Sequence, residues 1–352
     1  MFKTVRRVAN GLQWRVERLV DTVLVRQASK LLSGKSRIDL ADDECCAVTL
    51  LKNGEFFVPE LLRHHRSIGV RHFLVIDNGS TDGTAALLAG EPDVTVVQNR
   101  LPVARYETML RGLIPRRHVR GGWFLIVDSD ELFDPPPGCN GQIGPLLRYL
   151  RAEGHTAMLA HALDMFSDLP ASETALWSYA EAIDKARFYS LGHLEQIDYR
   201  APDFDLAYFL RDNETDGPQH FWSGGLRMEV FGENPVLTRH NIIRNLPGIP
   251  VPQHVHAAQN VRVSDITASF RHYKFTGDYV ARERRQVQAR TWLHGEDVAR
   301  VARYDSVDAF AIRPERQQGY EGTETLLRQG FIKSSEKFQA FLAKEKAGLV
   351  FP

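Results

Sequence analysis

Residues Trp123–Phe133 read WFLIVDSDELF. Five apolar residues, with no polar alternation, end abruptly in Asp128-Ser129-Asp130. A short continuous apolar run of this kind is the pattern of a strand buried on both faces, as in a parallel sheet. Upstream, the same pattern recurs. Cys45–Leu51 (CCAVTLL) is a first apolar strand, Val70–Ile76 (VRHFLVI) a second and Val94–Val97 a third. Between them lie helical periodicities: Phe57, Leu61, Leu62, His65 and Ile68 before Gly69, then a helix capped by Thr81 or Asp82 and ended by Gly90 and Pro92, then one around Arg105–Leu113. Four strands with three helices between them predict an α/β fold: a Rossmann-like, mostly parallel central sheet flanked by helices, with right-handed crossovers. Ligands of such sheets bind at the carboxyl ends of the strands. Lys52-Asn53, Asp77-Asn78 and Asp128-Ser129-Asp130 are therefore expected to open onto one crevice.

Each cluster suggests chemistry. Asp128 and Asp130, set on the end of a strand, can bind an oxygen-loving divalent cation that also bridges two phosphates. Asp77 can accept from a base N–H or a ribose hydroxyl, while helix capping accounts for Asp82. Read blandly, the D-S-D-E run is a solvated turn and D-N-G-S-T-D-G-T a βα turn satisfying its own backbone.

Together, TLLKNGEFFVPELLRHHRSIGVRHFLVIDNGSTDGT (residues 49–84) and WFLIVDSDELF resemble family 2-type glycosyltransferases of GT-A fold, especially the subgroup similar to family 92 enzymes. The resemblance implies that Lys52, Asn53, Asp77 and Asn78 contact the nucleotide, and that Asp128, Ser129 and Asp130 hold the metal-diphosphate with Mn²⁺ or Mg²⁺. It further implies that His272 in His272-Tyr273-Lys274 completes the metal shell and that Lys274 faces the diphosphate. Gly224–Gly232 resembles a recurring G-G-x-R-x-x-x-F-G segment, in which Arg227 can clamp a phosphate or an acceptor carboxylate. Its residues 224–231 otherwise read as a strand. The implied reaction transfers a sugar from a nucleotide-sugar, with UDP favoured, to a saccharide or lipid-linked acceptor with inversion. It needs a carboxylate base; Asp164, Asp203, Asp205 and Glu229 lie in the appropriate half, and Asp205 and Glu229 are nominated. Two rivals stand beside this reading: a nucleotidyltransferase that makes nucleotide-sugars, and a non-catalytic carbohydrate-binding protein. His65 reads as helix packing, and His254 with His256 as a polar face rather than a zinc site.

The rest of the chain sets bounds. Of 352 residues 43% are hydrophobic and 25% charged, and 44 basic residues balance 44 acidic ones, which gives no field for a nucleic-acid partner. Residues 1–40 depart from that balance, with nine Lys/Arg against Glu17, Asp21 and Asp39. Val5, Val8, Leu12, Val16, Leu19 and Val23 recur there at helical spacing. This is a basic amphipathic helix that either lies on an anionic membrane or packs its stripe on the main domain. No run is long and apolar enough to span a bilayer. Three cysteines without metal spacing (Cys45, Cys46, Cys139) fit a reducing cytoplasm, with peripheral contact at the inner membrane face. The expected organisation is a helical leader over 1–43, a GT-A domain over 44–277 and a helical C-terminal extension over 278–352.

Overall fold

A computed structural model describes residues 17–250, 254–288, 296–307 and 309–349. A ten-stranded sheet forms the centre. Its first half is the expected one. Val94–Gln98, His72–Asp77, Cys45–Leu51 and Trp123–Ile126 lie side by side in that order, every pair parallel. The chain moves outward from Cys45–Leu51 to one side for two strands, then returns to its other side for Trp123–Ile126. That reversal splays the connecting loops apart and opens a crevice at the carboxyl ends of these two strands. Lys30–Ser33 adds an antiparallel edge beyond Val94–Gln98.

Both faces are covered, which is why these strands show no polar alternation. Cys45, Ala47, Phe73, Val75, Trp123 and Leu125 pack with Leu61 and Leu62 of helix Val58–Ser67, Leu146, Leu147 and Leu150 of helix Ile143–Ala152, and Phe338 and Leu342 of helix Glu336–Lys346. Cys46, Val48, Leu74, Ile76 and Phe124 turn the other way, onto Tyr106, Leu110 and Ile114 of helix Val103–His118. Adjacent residues of a strand point to opposite faces, so Cys45 and Cys46 enter different cores. All three cysteines are buried and free.

The second half departs from simple alternation. Thr238–Arg244 inserts antiparallel between Trp123–Ile126 and Ala157–Asp164. Arg262–His272 follows, parallel to Ala157–Asp164, and Glu214–Thr215 closes that edge. Glu131–Asp134 leaves the crevice and pairs antiparallel with the far end of Arg262–His272. The strand expected over 224–231 is a strand only to Gly224 (His220–Gly224); helix Leu226–Phe231 follows. The reason is local. Gly224 and Gly225 take φ of 85° and 67°, left-handed conformations that break a strand and that residues with a Cβ avoid.

Helices Tyr279–Gln288, Glu296–Asp305, Thr323–Arg328 and Glu336–Lys346 lie in the C-terminal segment. They are tied to the central domain: Phe338 lies in the core, and the Trp222 indole donates to the Phe331 carbonyl at 3.0 Å. At the other end, a helix covers residues 17–28. Of the apolar stripe expected there, Val5, Val8, Leu12 and Val16 lie outside the described residues. Leu19 and Val23 do not pack on the domain; both are exposed.

Candidate functional site

The loops after Cys45–Leu51 and His72–Asp77 are zipped together by their own polar groups. The Asn53, Gly54 and Glu55 N–H groups donate to Ser80 Oγ at 2.8 Å, Thr84 Oγ1 at 2.8 Å and Asp82 Oδ2 at 3.2 Å. Asn53 Oδ1 accepts from the Thr81 N–H at 2.8 Å. Asp77 is 2% exposed, and its carboxylate accepts from the Ser80 N–H at 2.9 Å and the Gln98 amide at 2.9 Å. Asn78 donates to the Asn99 and Leu101 carbonyls at 2.7 and 2.8 Å. Helix Thr84–Ala89 has Gly83 at its N-cap and no side-chain cap, so neither Thr81 nor Asp82 caps it as expected. Asp82 bonds the turn through the Glu55 and Thr84 N–H groups, and Asn53, Asp77 and Asn78, where nucleotide contact was expected, bond the turn too. Lys52 remains exposed on the rim.

Asp128 sits at the carboxyl end of its strand, as expected, but its oxygens already have partners. Arg111, from helix Val103–His118, donates to Oδ1, and Arg239, from the inserted antiparallel strand, donates to Oδ2 at 3.1 Å. Glu131 accepts from the Asp128 N–H at 2.7 Å and also pairs with Arg239. Burial pushes the Asp128 carboxyl up, but the two guanidinium groups outweigh it and hold the group well below the usual carboxylate range. Among the described residues, Arg111 Nη1 and Arg239 Nε, both buried, find no hydrogen-bond partner. An orphaned charged donor is costly, so these two N–H groups would be satisfied by an added anion or water.

Asp130 belongs to a second constellation. The register places His272 beside Asp164 on one side and Glu131 on the other, which carries its ring to the D-S-D turn. His272 Nε2 lies 3.5 Å from Asp130 Oδ2, and Nδ1 lies 2.6 Å from Asp164 Oδ1. Arg227 Nε donates to Asp164 Oδ2 at 2.9 Å. The result is a chain running Asp130, His272, Asp164, Arg227. Burial disfavours the imidazolium, yet the two carboxylates more than compensate and raise the His272 pKa. Asp164, buried but flanked by Arg227 and His272, is held well below the carboxylate range.

Lys274 lies close behind. Its ammonium is 3.7 Å from Glu283 Oε1, and burial together with nearby Arg300 lowers its pKa. Glu283 is held by Arg300 at 3.0 Å and by the Tyr304 hydroxyl at 2.8 Å, so the C-terminal helices supply the partner of Lys274. Tyr179 is a further neighbour. Its hydroxyl is buried with no hydrogen-bond partner among the described residues, packed among the rings of Phe56, Phe57 and Tyr273; burial and then the Asp130 charge push its phenol up.

The structure does not bring the two nominated bases here. Asp205 is exposed, beside Leu206, which packs with Tyr199 and Phe221 in a separate cluster. Glu229 accepts from Ser190 Oγ at 2.7 Å and from the Glu315 N–H. Two residues along a helix turn roughly 200°, so Glu229 points away from the face on which Arg227 meets Asp164. His65 lies in the helix packing, as read: Nδ1 donates to the Leu61 carbonyl at 2.8 Å and Nε2 accepts the Phe133 N–H at 3.3 Å. His256 Nδ1 donates to the Thr238 carbonyl at 3.0 Å. Arg111, Arg239 and Tyr179 escaped sequence reading because no local motif surrounds them. Glu131 was inside the D-S-D-E run but carried no distinguishing signal.

No protein-family model matches the sequence, and no curated protein matches it. Among solved structures, S. aureus TarS is similar over 36% of this chain and 24% of that chain, with 16% identity and a TM-score of 0.28. TarS 1–349 matches over 40% of this chain and 44% of its own, with 17% identity and a TM-score of 0.27. TarS 1–349 in complex with UDP-GlcNAc matches over 40% and 42%, with the same identity and TM-score. The matched region spans less than half of each TarS chain, and likeness of this degree bears on neither residues nor activity.

Proposed function

We propose that the protein is a metal-dependent glycosyltransferase that uses a nucleotide-sugar donor, with a UDP-sugar favoured by the resemblance of its motifs. The observation that carries this reading is the Asp130–His272–Asp164 arrangement at the carboxyl edge of the sheet. Two neighbouring ligands of one cation, each at roughly 2.1 Å, stand about 3–3.5 Å apart. The 3.5 Å between Asp130 Oδ2 and His272 Nε2 fits that spacing. The other ring nitrogen bonds a carboxylate, the support that metal-ligating histidines commonly have. Among the described residues no group of three His, Cys, Asp or Glu side chains is gathered for a metal. A cation on Asp130 and His272 would therefore take its remaining oxygens from the diphosphate and water, and it would supply charge to stabilise the departing diphosphate. Asp128 has a different part in this proposal from that of a ligand: it pre-positions Arg111 and Arg239, whose orphaned N–H groups suit phosphate oxygens. Arg227 orients Asp164 rather than clamping substrate.

The rival nucleotidyltransferase needs free backbone donors after the first strand to cradle a triphosphate. The N–H groups of Asn53, Gly54 and Glu55 are spent on Ser80, Thr84 and Asp82, which disfavours it. A panel of nucleotide-sugars, UDP-GlcNAc included, tests the proposal by thermal shift and donor hydrolysis with and without Mn²⁺. A Mn²⁺-dependent shift that Asp130→Ala abolishes supports it. No shift with any donor would refute it, and pyrophosphate release from a nucleoside triphosphate and a sugar phosphate would establish the rival.

A further inference from the structure

The helix over 17–28 wears its polarity inside out. Asp21 turns inward, accepting from Arg105 at 3.0 Å and from the Tyr106 hydroxyl at 3.2 Å, and Val25 is fully buried. Asn99 fastens the helix by donating to the Val25 carbonyl and to Ser29 Oγ, both at 3.0 Å. On the opposite face Leu19, Val20, Val23 and Leu24 are exposed by 67, 52, 49 and 40%. These four occupy one arc of the helix, since 19 and 23, and 20 and 24, are successive-turn neighbours. Leu31 and Leu32, in the strand that follows, are exposed by 37 and 40%.

Basic side chains border this arc. Arg26 and Lys30 are exposed beside it, and Arg117 donates to the Arg26 carbonyl at 3.2 Å, joining the basic end of helix Val103–His118 to the same surface. Arg120 bonds main-chain carbonyls, of Arg116 at 2.9 Å and of Val119 at 3.1 Å, rather than a carboxylate. Two of the nearby acids are turned to other work: Asp21 holds Arg105, and Asp39 pairs with Arg37 at 2.9 Å; Glu17, exposed at the start of the helix, leaves the border basic on balance.

We infer that this face is a docking surface for an anionic phospholipid bilayer, with Leu19, Val20, Val23 and Leu24 entering the acyl boundary and Arg26, Lys30 and Arg117 meeting the headgroups. An exposed apolar arc with a basic border is the pattern of helices that lie in the membrane interface. A second copy of the chain is the poorer occupant. A self-complementary interface would bring this mainly basic border against itself, whereas anionic headgroups neutralise it. No helix among the described residues is long and apolar enough to cross a membrane. The surface is also near the crevice: Asn99, which anchors the helix, is gripped by Asn78 of the crevice rim. A lipid-borne acceptor would thus approach along the plane on which the protein rests. The docking inference itself does not depend on the sugar-transfer reading.

Vesicle flotation of the full chain tests it, comparing phosphatidylcholine alone with an equal mixture of phosphatidylcholine and phosphatidylglycerol. The wild type is expected to float with the anionic vesicles, less so at high salt, and to stay with the soluble fraction in phosphatidylcholine. Leu19→Glu/Val23→Glu should weaken partitioning by roughly tenfold or more, and Arg26→Glu or Arg117→Glu by roughly fivefold or more each. Because all four side chains are exposed, these variants should melt with the wild type; a sample that melts early is replaced by Leu19→Ser/Val23→Ser. Failure of the wild type to float, or flotation that survives both sets of changes, overturns the inference. So does a dimer seen by sedimentation that Leu19→Glu/Val23→Glu converts to monomer.

Discussion

Asp164→Asn is a small change with a large consequence, because the acid stands between two donors. Arg227 Nε–H and the His272 Nδ1–H side both point at its oxygens, at 2.9 and 2.6 Å. The side chains of Asp164 and Arg227 are 2% and 13% exposed, so water does little to repair a lost partner. Asparagine keeps the shape but offers one acceptor oxygen and one NH₂ group. Whichever way it flips, one of its neighbours meets a donor instead of an acceptor. Breaking a buried charged pair costs about 3–5 kcal/mol, and leaving a polar group unsatisfied about 1–3 kcal/mol. With the second hydrogen bond retained, we expect a loss of about 2–4 kcal/mol in urea denaturation at neutral pH. Arg227→Leu added to Asp164→Asn removes the competing donor and should recover part of that loss, a coupling that a double-mutant cycle measures. If the proposed cation site is correct, Mn²⁺ affinity followed by electron paramagnetic resonance should also fall about 10–100-fold in Asp164→Asn. A stability change below about 0.5 kcal/mol, within the range of ordinary surface substitutions, would refute the reading of Asp164 as the clamp between these donors. An unchanged Mn²⁺ affinity would refute its role in orienting His272.

Acid should loosen the fold well before the carboxylates titrate. Burial pushes His65 and His161 down to about 3 and His240 to about 4, so below their ordinary value near 6.5 the unfolded chain binds protons that the folded chain refuses. Each histidine then removes up to roughly 1.4 kcal/mol per pH unit as pH falls from about 6.5 toward its folded value. His272, with its raised pKa, has the opposite sign, contributing stability at low pH that is lost as pH rises through its folded pKa, but it is one group against these three and against His72 and His256, which burial also lowers. A urea midpoint that did not fall between pH 7 and pH 5 would contradict this. Arg300→Met removes the common partner of Glu233, at 2.7 Å, Glu283, at 3.0 Å, and Asp297. It should cost about 3–5 kcal/mol and raise amide exchange in Tyr279–Gln288 and Glu296–Asp305, whereas unaltered protection there would show that the network does not hold these helices. Gly224→Ala places a Cβ 2.3 Å from the His193 carbonyl oxygen at φ 85°, and about 1–3 kcal/mol or more should be lost. Gly90→Ala, at a site with nothing within 4 Å and no positive φ, serves as the control and should leave the melting temperature nearly unchanged.

Sequence patterning alone determined the parallel half of this protein. The apolar runs ending at Leu51, Ile76 and Val127, with helical periods between them, specify strands buried on two faces. Right-handed crossovers then put their carboxyl ends on one edge, so patterning by itself sets Asp128 and Asp130 at a crevice. The polar turn at Asp77–Thr84 was equally visible, but its use was not. Whether an Asp or Asn bonds its own loop or a ligand depends on whether Ser80, Gln98, Asn99 and Leu101 come within reach. Tertiary structure alone decided the rest. Arg239 reaches Asp128 because Thr238–Arg244 runs antiparallel into the middle of the sheet, a choice made by pairing across more than a hundred residues. His272 meets Asp130 and Asp164 because three strand ends coincide in register. Leu19 and Val23 face outward because Asp21 found Arg105 and Tyr106. Periodicity records that one face of a helix differs from the other; it does not record which face the rest of the molecule will cover, since that is set by partners distant in the chain.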